Sequence, residues 1–157
     1  QMTIGADGVR VYSALDHANI LNTSINASYK PFTSWTLTGM LSYNIGKDNK
    51  GNNLPLLSPF SYRAALYFKK NLFDAEVNLN GASKQINFSS YYGENETEAY
   101  AIVNLNASYK FYFGNQNLYL KAGIENVFDT YYSTYSDWNN IPRMGCNFFV
   151  NISSKIK

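Results

Sequence analysis

Side chains able to carry chemistry are few in these 157 residues, and their spacing limits what they can do. One histidine, His17, and one cysteine, Cys146, exclude an intrachain disulfide and any zinc cluster built from several Cys or His side chains. His17, Met144 and Cys146 include soft metal ligands, but no spacing signature joins them, and no resident metal or cofactor is expected. Glu94, Glu96 and Glu98 alternate in one segment, a pattern that either gathers a cation or keeps a loop solvated. No nucleophile is set beside a base by motif and no carboxylate pair is placed for acid–base work, so an enzyme is not expected. What the chain does gather is ring surface. Tyr131, Tyr132, Tyr135 and Trp138 crowd one stretch with Arg143 just beyond it, and Tyr91 and Tyr92 form a second group. Such rings supply rigid contact area at low entropic cost, as in binding loops, or else they pack as a structural girdle. Arg143 would meet an anionic ligand or sit at the level of lipid headgroups.

Rings in loops need a frame, and the frame legible here is made of strands. From Leu21 the odd positions Leu21, Thr23, Ile25, Ala27 and Tyr29 are largely apolar, while Asn22, Ser24, Asn26, Ser28 and Lys30 between them are polar. The split recurs in Trp35, Leu37, Gly39, Leu41, Tyr43 and Ile45, in Ala101, Val103, Leu105, Ala107 and Tyr109, and in Phe148, Val150 and Ile152. A period of two is that of strands, and no segment reads as a helix. Seven strands are expected, at 18–31, 35–46, 60–70, 74–89, 99–112, 117–128 and 145–157. Each exceeds the five or six residues usual in globular proteins and reaches the roughly nine to eleven a tilted membrane strand needs. In the fourth, Ala75, Val77 and Leu79 are odd but Ile86 and Phe88 even, which predicts a bulge near Gly81.

Composition points the same way. Charged residues are 15% and aromatics 17%, against about 25% charge in soluble domains. A net charge of +2 without a basic run leaves no footprint for nucleic acid. Mean hydropathy is −0.31 and no run approaches the roughly 18 apolar residues of a membrane helix, yet alternating barrel strands average out in any such window. Short connections (31–34, 71–73, 113–116) alternate strictly with long ones (46–59, 90–98, 130–144), the order of an outer-membrane barrel. Aromatics cluster at strand ends: Tyr29, Phe32, Trp35, Phe68, Phe73, Tyr109, Phe111 and Phe113 by the short turns, and Tyr43, Phe60, Tyr62, Phe88 and Tyr100 by the long loops. Two interfacial girdles are expected. Triplets of the form N-x-[ST] start at Asn22, Asn26, Asn87, Asn95, Asn106 and Asn151, but a polar residue at every second strand position produces them without glycosylation.

The final third resembles the C-terminal end of TonB-dependent outer-membrane receptors. The resemblance rests on Asn126, Val127, Phe128, Asp129 and Tyr132, an N-[LV]-F-D-x-x-Y motif, followed by a Tyr-rich loop, the turn Pro142 to Gly145 and a closing strand; Leu54, Pro55 and Pro59 match an earlier loop. It implies an all-β fold, namely an antiparallel transmembrane β-barrel portion of about seven long strands from a barrel of about 22. Residues 1–157 would be the C-terminal segment of that barrel domain, with the plug and earlier strands outside it. The implied partners are those missing parts, outer-membrane lipid, the TonB complex and a nutrient ligand, with a surface lipoprotein as a further possibility. Iron-siderophore, haem, cobalamin, copper or glycan all fit as cargo, and the implied location is the bacterial outer membrane. This chain ends Lys155, Ile156, Lys157, where the family usually ends on an aromatic.

Strand parity agrees with a partial barrel, since closed bacterial barrels have even strand numbers. Two rivals stand beside it. An eighth strand in residues 1–16, where Val9 and Val11 alternate, would give a small autonomous barrel acting as an adhesin or structural protein. A soluble all-β carbohydrate-binding module would instead place Leu21, Leu37, Leu105 and Val150 together in a dry centre.

Overall fold

The computed structural model describes residues 2–4, 10–12, 14–113 and 116–156; Val9, Gly114, Asn115 and Lys157 of the expectations above lie outside them. The protein is all-β. Short strands β1 (Met2–Ile4) and β2 (Arg10–Tyr12) pair only with each other, and seven long strands make one antiparallel sheet in chain order. These are β3 (Ala18–Phe32), β4 (Trp35–Asp48), β5 (Ser61–Lys70), β6 (Phe73–Ala82), β7 (Tyr100–Phe113), β8 (Gln116–Glu125) and β9 (Asn147–Ile156). Among the described residues the N-terminal ones therefore add no eighth strand to the sheet, and β1 lies against a 3-10 turn at Ser90–Tyr92.

Period-two patterning explains the register. Across the sheet the pairs Tyr29–Leu37, Leu37–Leu66, Leu66–Val77, Val77–Leu105, Leu105–Ile124 and Ile124–Phe148 form one continuous apolar row. A slip of one residue would turn every such side chain to the opposite face. The other face carries Ser28, Thr38, Ala65, Asn78 and Asn104 in the matching row. Side chains on this polar face are the crowded ones: Asn78 is 5% exposed while its neighbour Val77 is 45% exposed. Crowding on one side and splaying on the other is what sheet curvature toward the polar side produces.

A dry centre does not form. Among the described residues the only buried apolar side chains are Leu54, Ala65 and Ala82. Leu21, Leu37 and Val150 are exposed and Leu105 is half-buried, all on the outer apolar face. At the short-turn end of that face Trp35 and Phe68 lie 4.7 Å apart, Phe68 and Phe73 6.2 Å, and Tyr109 and Phe111 4.7 Å, a band of rings along one rim.

Two expectations need correction. The fourth strand ends at Ala82, not at 89, and it holds no bulge at Gly81, because pairing runs unbroken from Ser61–Ala82 to Lys70–Phe73. The parity change arises because the chain has already left the sheet: Ser83 N donates to Phe60 O at 2.8 Å and Gln85 bridges Thr97. β8 stops at Glu125, short of residue 128, because Asn126 takes a left-handed φ of 49° that no strand accommodates. A register shift does occur between Tyr29 and Phe32, beside the first short turn.

Candidate functional site

All three long connections, 49–60, 83–99 and 126–146, leave the same end of the sheet, and hydrogen bonds stitch them into one surface. Glu94 joins the first two, its Oε1 accepting from Leu56 N at 2.6 Å and its Oε2 from Ser89 N at 2.8 Å. Gln85 Nε2 donates to Leu57 O at 3.1 Å. Asn140 joins the second and third, accepting from Thr97 Oγ1 at 3.1 Å and donating to Glu96 O at 2.7 Å. Lys84 closes the second loop between Glu96 at 2.6 Å and Glu98 at 3.0 Å, and these two carboxylates raise its pKa. Of the three alternating carboxylates, two are thus bound to a lysine and the third to backbone amides.

The last loop is built on Asn126, which is 2% exposed. Its N–H donates to Asn104 Oδ1 at 2.8 Å, its Oδ1 accepts from Thr130 N at 2.9 Å, and its Nδ2 donates to Thr130 O at 2.8 Å. Asn is one of the few residues that tolerate this left-handed backbone while their side chain closes a local turn. Asp129 repeats the device, with φ 52° and its Oδ1 accepting from Cys146 N at 2.8 Å. Gly145 lies directly against that carboxylate, and a Cβ there would have to displace it from Cys146 N. Val127 N donates to Val103 O at 2.9 Å, extending the β7–β8 pairing. The motif at 126–129 is therefore the clasp that ties both ends of the loop to the sheet, and Phe128, 74% exposed, projects outward.

A polar ladder runs down from the clasp. Asn104 Nδ2 donates to Asn78 Oδ1 at 2.9 Å, Asn80 donates to the same oxygen at 2.7 Å, and Asn78 donates to Glu76 at 3.0 Å. Within the loop, Asp137 accepts from Thr134 N and Oγ1 and from Arg143 Nε, the last at 2.8 Å. The Arg143 guanidinium, foremost, holds the Asp137 carboxyl at a pKa of about 2. Tyr132 stacks on Tyr100 with centroids 4.7 Å apart and accepts from Arg143 N at its carbonyl.

These groups enclose an open recess of about 490 Å³ on the polar face, lined by Asn104, Glu125, Asn126, Tyr132, Arg143 and Met144 among others. The structure brings Asn126, Tyr132, Pro142, Arg143 and Gly145 together at this recess. It does not bring the other candidates there. Tyr131 is 83% exposed on the loop surface, Tyr135 is half-buried and Trp138 opens a 3-10 turn, Trp138–Asn140. Tyr91 and Tyr92 belong to the neighbouring loop, in the turn Ser90–Tyr92. Arg143 is engaged by Asp137 through both Nε and Nη2. Sequence reasoning passed over Asp137 and Asn140, and it read Glu94 as a cation ligand or a solvating charge where the structure makes it a tie between loops. Thr134 and Asp137, three apart, carry a local turn signal, whereas Glu94 and Asn140 act across distances of 38 and 43 residues that leave no trace in the sequence.

No protein-family model matches the sequence, and no curated protein is similar to it. A solved structure to which the chain is similar is the copper transporter OprC, at a TM-score of 0.76 and 21% identity over 87% of this chain. That likeness shows the fold, a seven-stranded stretch of barrel wall; the chain spans 23% of the length of OprC.

Proposed function

We propose that the chain is the C-terminal wall of a TonB-dependent outer-membrane receptor that takes up a scarce nutrient such as an iron-siderophore, haem, cobalamin or metal complex. In this reading the apolar face meets lipid, the polar face lines a wet interior, and the stitched loops form part of an outer capture surface. The observation that carries it is the two-faced sheet without a dry core, in which Leu37, Val77 and Val150 are exposed on one face while Asn78 and Asn104 are hydrogen-bonded on the other. A soluble domain would have buried the first set, because exposed apolar area of this extent is unfavourable in water. The likeness to a transporter of known structure supports outer-membrane transport, and the 126–129 clasp is the same segment whose sequence resembles the receptor family.

The test is site-directed spin labelling of the full-length protein in lipid vesicles, with Leu37→Cys compared with Thr38→Cys in a Cys146→Ser background. Labels at 37 should be accessible to dissolved oxygen and shielded from a water-soluble nickel chelate, and labels at 38 the reverse. Equal accessibility to the chelate at both positions would overturn the reading.

A further inference from the structure

We propose that the apolar face at the short-turn end of β5 and β6 selects an anionic phospholipid, of the phosphatidylglycerol class, through Lys70; this rests on the receptor reading above. Pairing across the two strands runs unbroken from Ser61–Ala82 to Lys70–Phe73, so Lys70 shares the face of Leu66 and Phe68. It is exposed there and forms no ion pair among the described residues. The adjacent Lys69 stands on the opposite face, where Asp74 holds it at 3.6 Å. The carboxylate of this hairpin end is thereby spent on the polar side, and Lys70 is left with its charge toward lipid. Its position is fixed by the turn that follows: Asn71 takes a φ of 55°, Leu72 O accepts from Lys110 N at 2.9 Å, and Lys69 N donates to Ser34 O at 2.8 Å.

Rings flank the ammonium on that face. Phe32 pairs with Trp35 and Trp35 with Phe68, and the Trp35–Phe68 and Phe68–Phe73 centroids lie 4.7 and 6.2 Å apart. A row of this kind settles at the bilayer interface and offers acyl chains a wall to lie against. An ammonium beside it stays at headgroup level, because hydrocarbon is costly for a charge. The anions within its reach there are lipid phosphates. In phosphatidylethanolamine the phosphate is already matched by an ammonium in the same headgroup. Phosphatidylglycerol has no such partner, so its phosphate and Lys70 complete a charge-assisted hydrogen bond.

The test places the full-length protein in vesicles doped with phosphatidylglycerol or phosphatidylethanolamine carrying the same diazirine near the top of one acyl chain. After illumination, lipid adducts on peptides spanning residues 61–82 are counted by mass spectrometry. The phosphatidylglycerol probe should give about fivefold more adduct than the other, the preference expected of one lysine near an anionic lipid surface. Lys70→Gln should bring the ratio close to one, and Lys70→Arg should keep it. Equal yields from the two probes, or a ratio that Lys70→Gln leaves unchanged, would overturn the proposal. So would loss of the preference in an excess of inorganic phosphate, which would mark a site for the bare anion. Labelling by both probes alike would leave the receptor reading intact, because contact with lipid and choice among lipids are read separately.

Discussion

The Asp137 carboxylate and the Arg143 guanidinium meet edge to edge, with Nε to Oδ2 at 2.8 Å and Nη2 to Oδ1 at 2.8 Å. This fork gives the 126–146 loop its internal frame, since the same carboxylate also gathers the Thr134 amide and hydroxyl. Arg143, which from sequence alone could have met an anionic ligand, is here a brace for the loop that carries Tyr131 and Trp138.

The brace should be sensitive to acid. Asp137 has its pKa lowered to about 2, against about 3.9 for an unfolded aspartate. Its contribution is therefore fully present above pH 4 and disappears as pH falls from about 4 through about 2. The Arg143 side chain is 48% exposed, so solvent screening holds the effect to about 1 kcal/mol or less. In a Trp35→Phe background, which leaves Trp138 as the one tryptophan of these 157 residues, an environment-sensitive probe of the loop such as a fluorine-labelled Trp138 resonance should change across that window. Asp137→Asn should abolish the change and give the acid-state signal at pH 7.

Asn126→Ala removes an acceptor and donor pair at a site 2% exposed and leaves Thr130 N and O without partners. Unsatisfied buried groups cost about 1–3 kcal/mol, and alanine is also strained at a φ of 49°. Limited proteolysis should nick the variant between 130 and 144 several times faster than the parent, while the sheet persists by circular dichroism. Asn126→Gly should sit between the two, because it relieves the backbone but not the lost hydrogen bonds.

How far the sequence could be read follows from how local each cause is. Strand positions, the seven-strand count and the alternation of short and long connections were legible because side-chain parity is written residue by residue in stretches such as Leu21 to Tyr29. The end of β6 was misplaced because Ile86 and Phe88 continue an apolar alternation that belongs to a loop bridged to Thr97. The 126–129 motif was visible as a likeness but not as a clasp, since its meaning lies in Asn104 and Cys146, 22 and 17 residues away. The stitching of the long loops through Glu94 and Asn140 depends wholly on which strands become neighbours, and nothing local announces it.

Glycines in the sheet offer a matched pair. A Cβ added at Gly81 would run into the Tyr62 ring and the Tyr100 carbonyl at 2.6 Å, whereas one added at Gly39 meets nothing within 4 Å. Gly81→Ala should therefore destabilise by about 1–3 kcal/mol through overpacking. Gly39→Ala should be neutral or slightly stabilising, because glycine in a strand interior carries an entropic cost. Urea unfolding midpoints of the two variants in the same detergent decide it.

A charge on the apolar face should cost in proportion to its depth. Val77 sits midway along β6, opposite Leu66 and Leu105, while Phe73 begins the strand in the ring cluster with Phe68. In a bilayer, Val77→Arg should destabilise by about 2–4 kcal/mol and Phe73→Arg by about 0–1 kcal/mol, because an arginine near the rim reaches the headgroups. On the polar face, Ser108→Arg should cost little by comparison. The gradient is best read from unfolding midpoints of the full-length protein in vesicles of one lipid. If Val77→Arg and Phe73→Arg shifted the midpoint equally, the face they share would not be spanning hydrocarbon, and the wet interior assigned to the asparagine ladder would lose its basis.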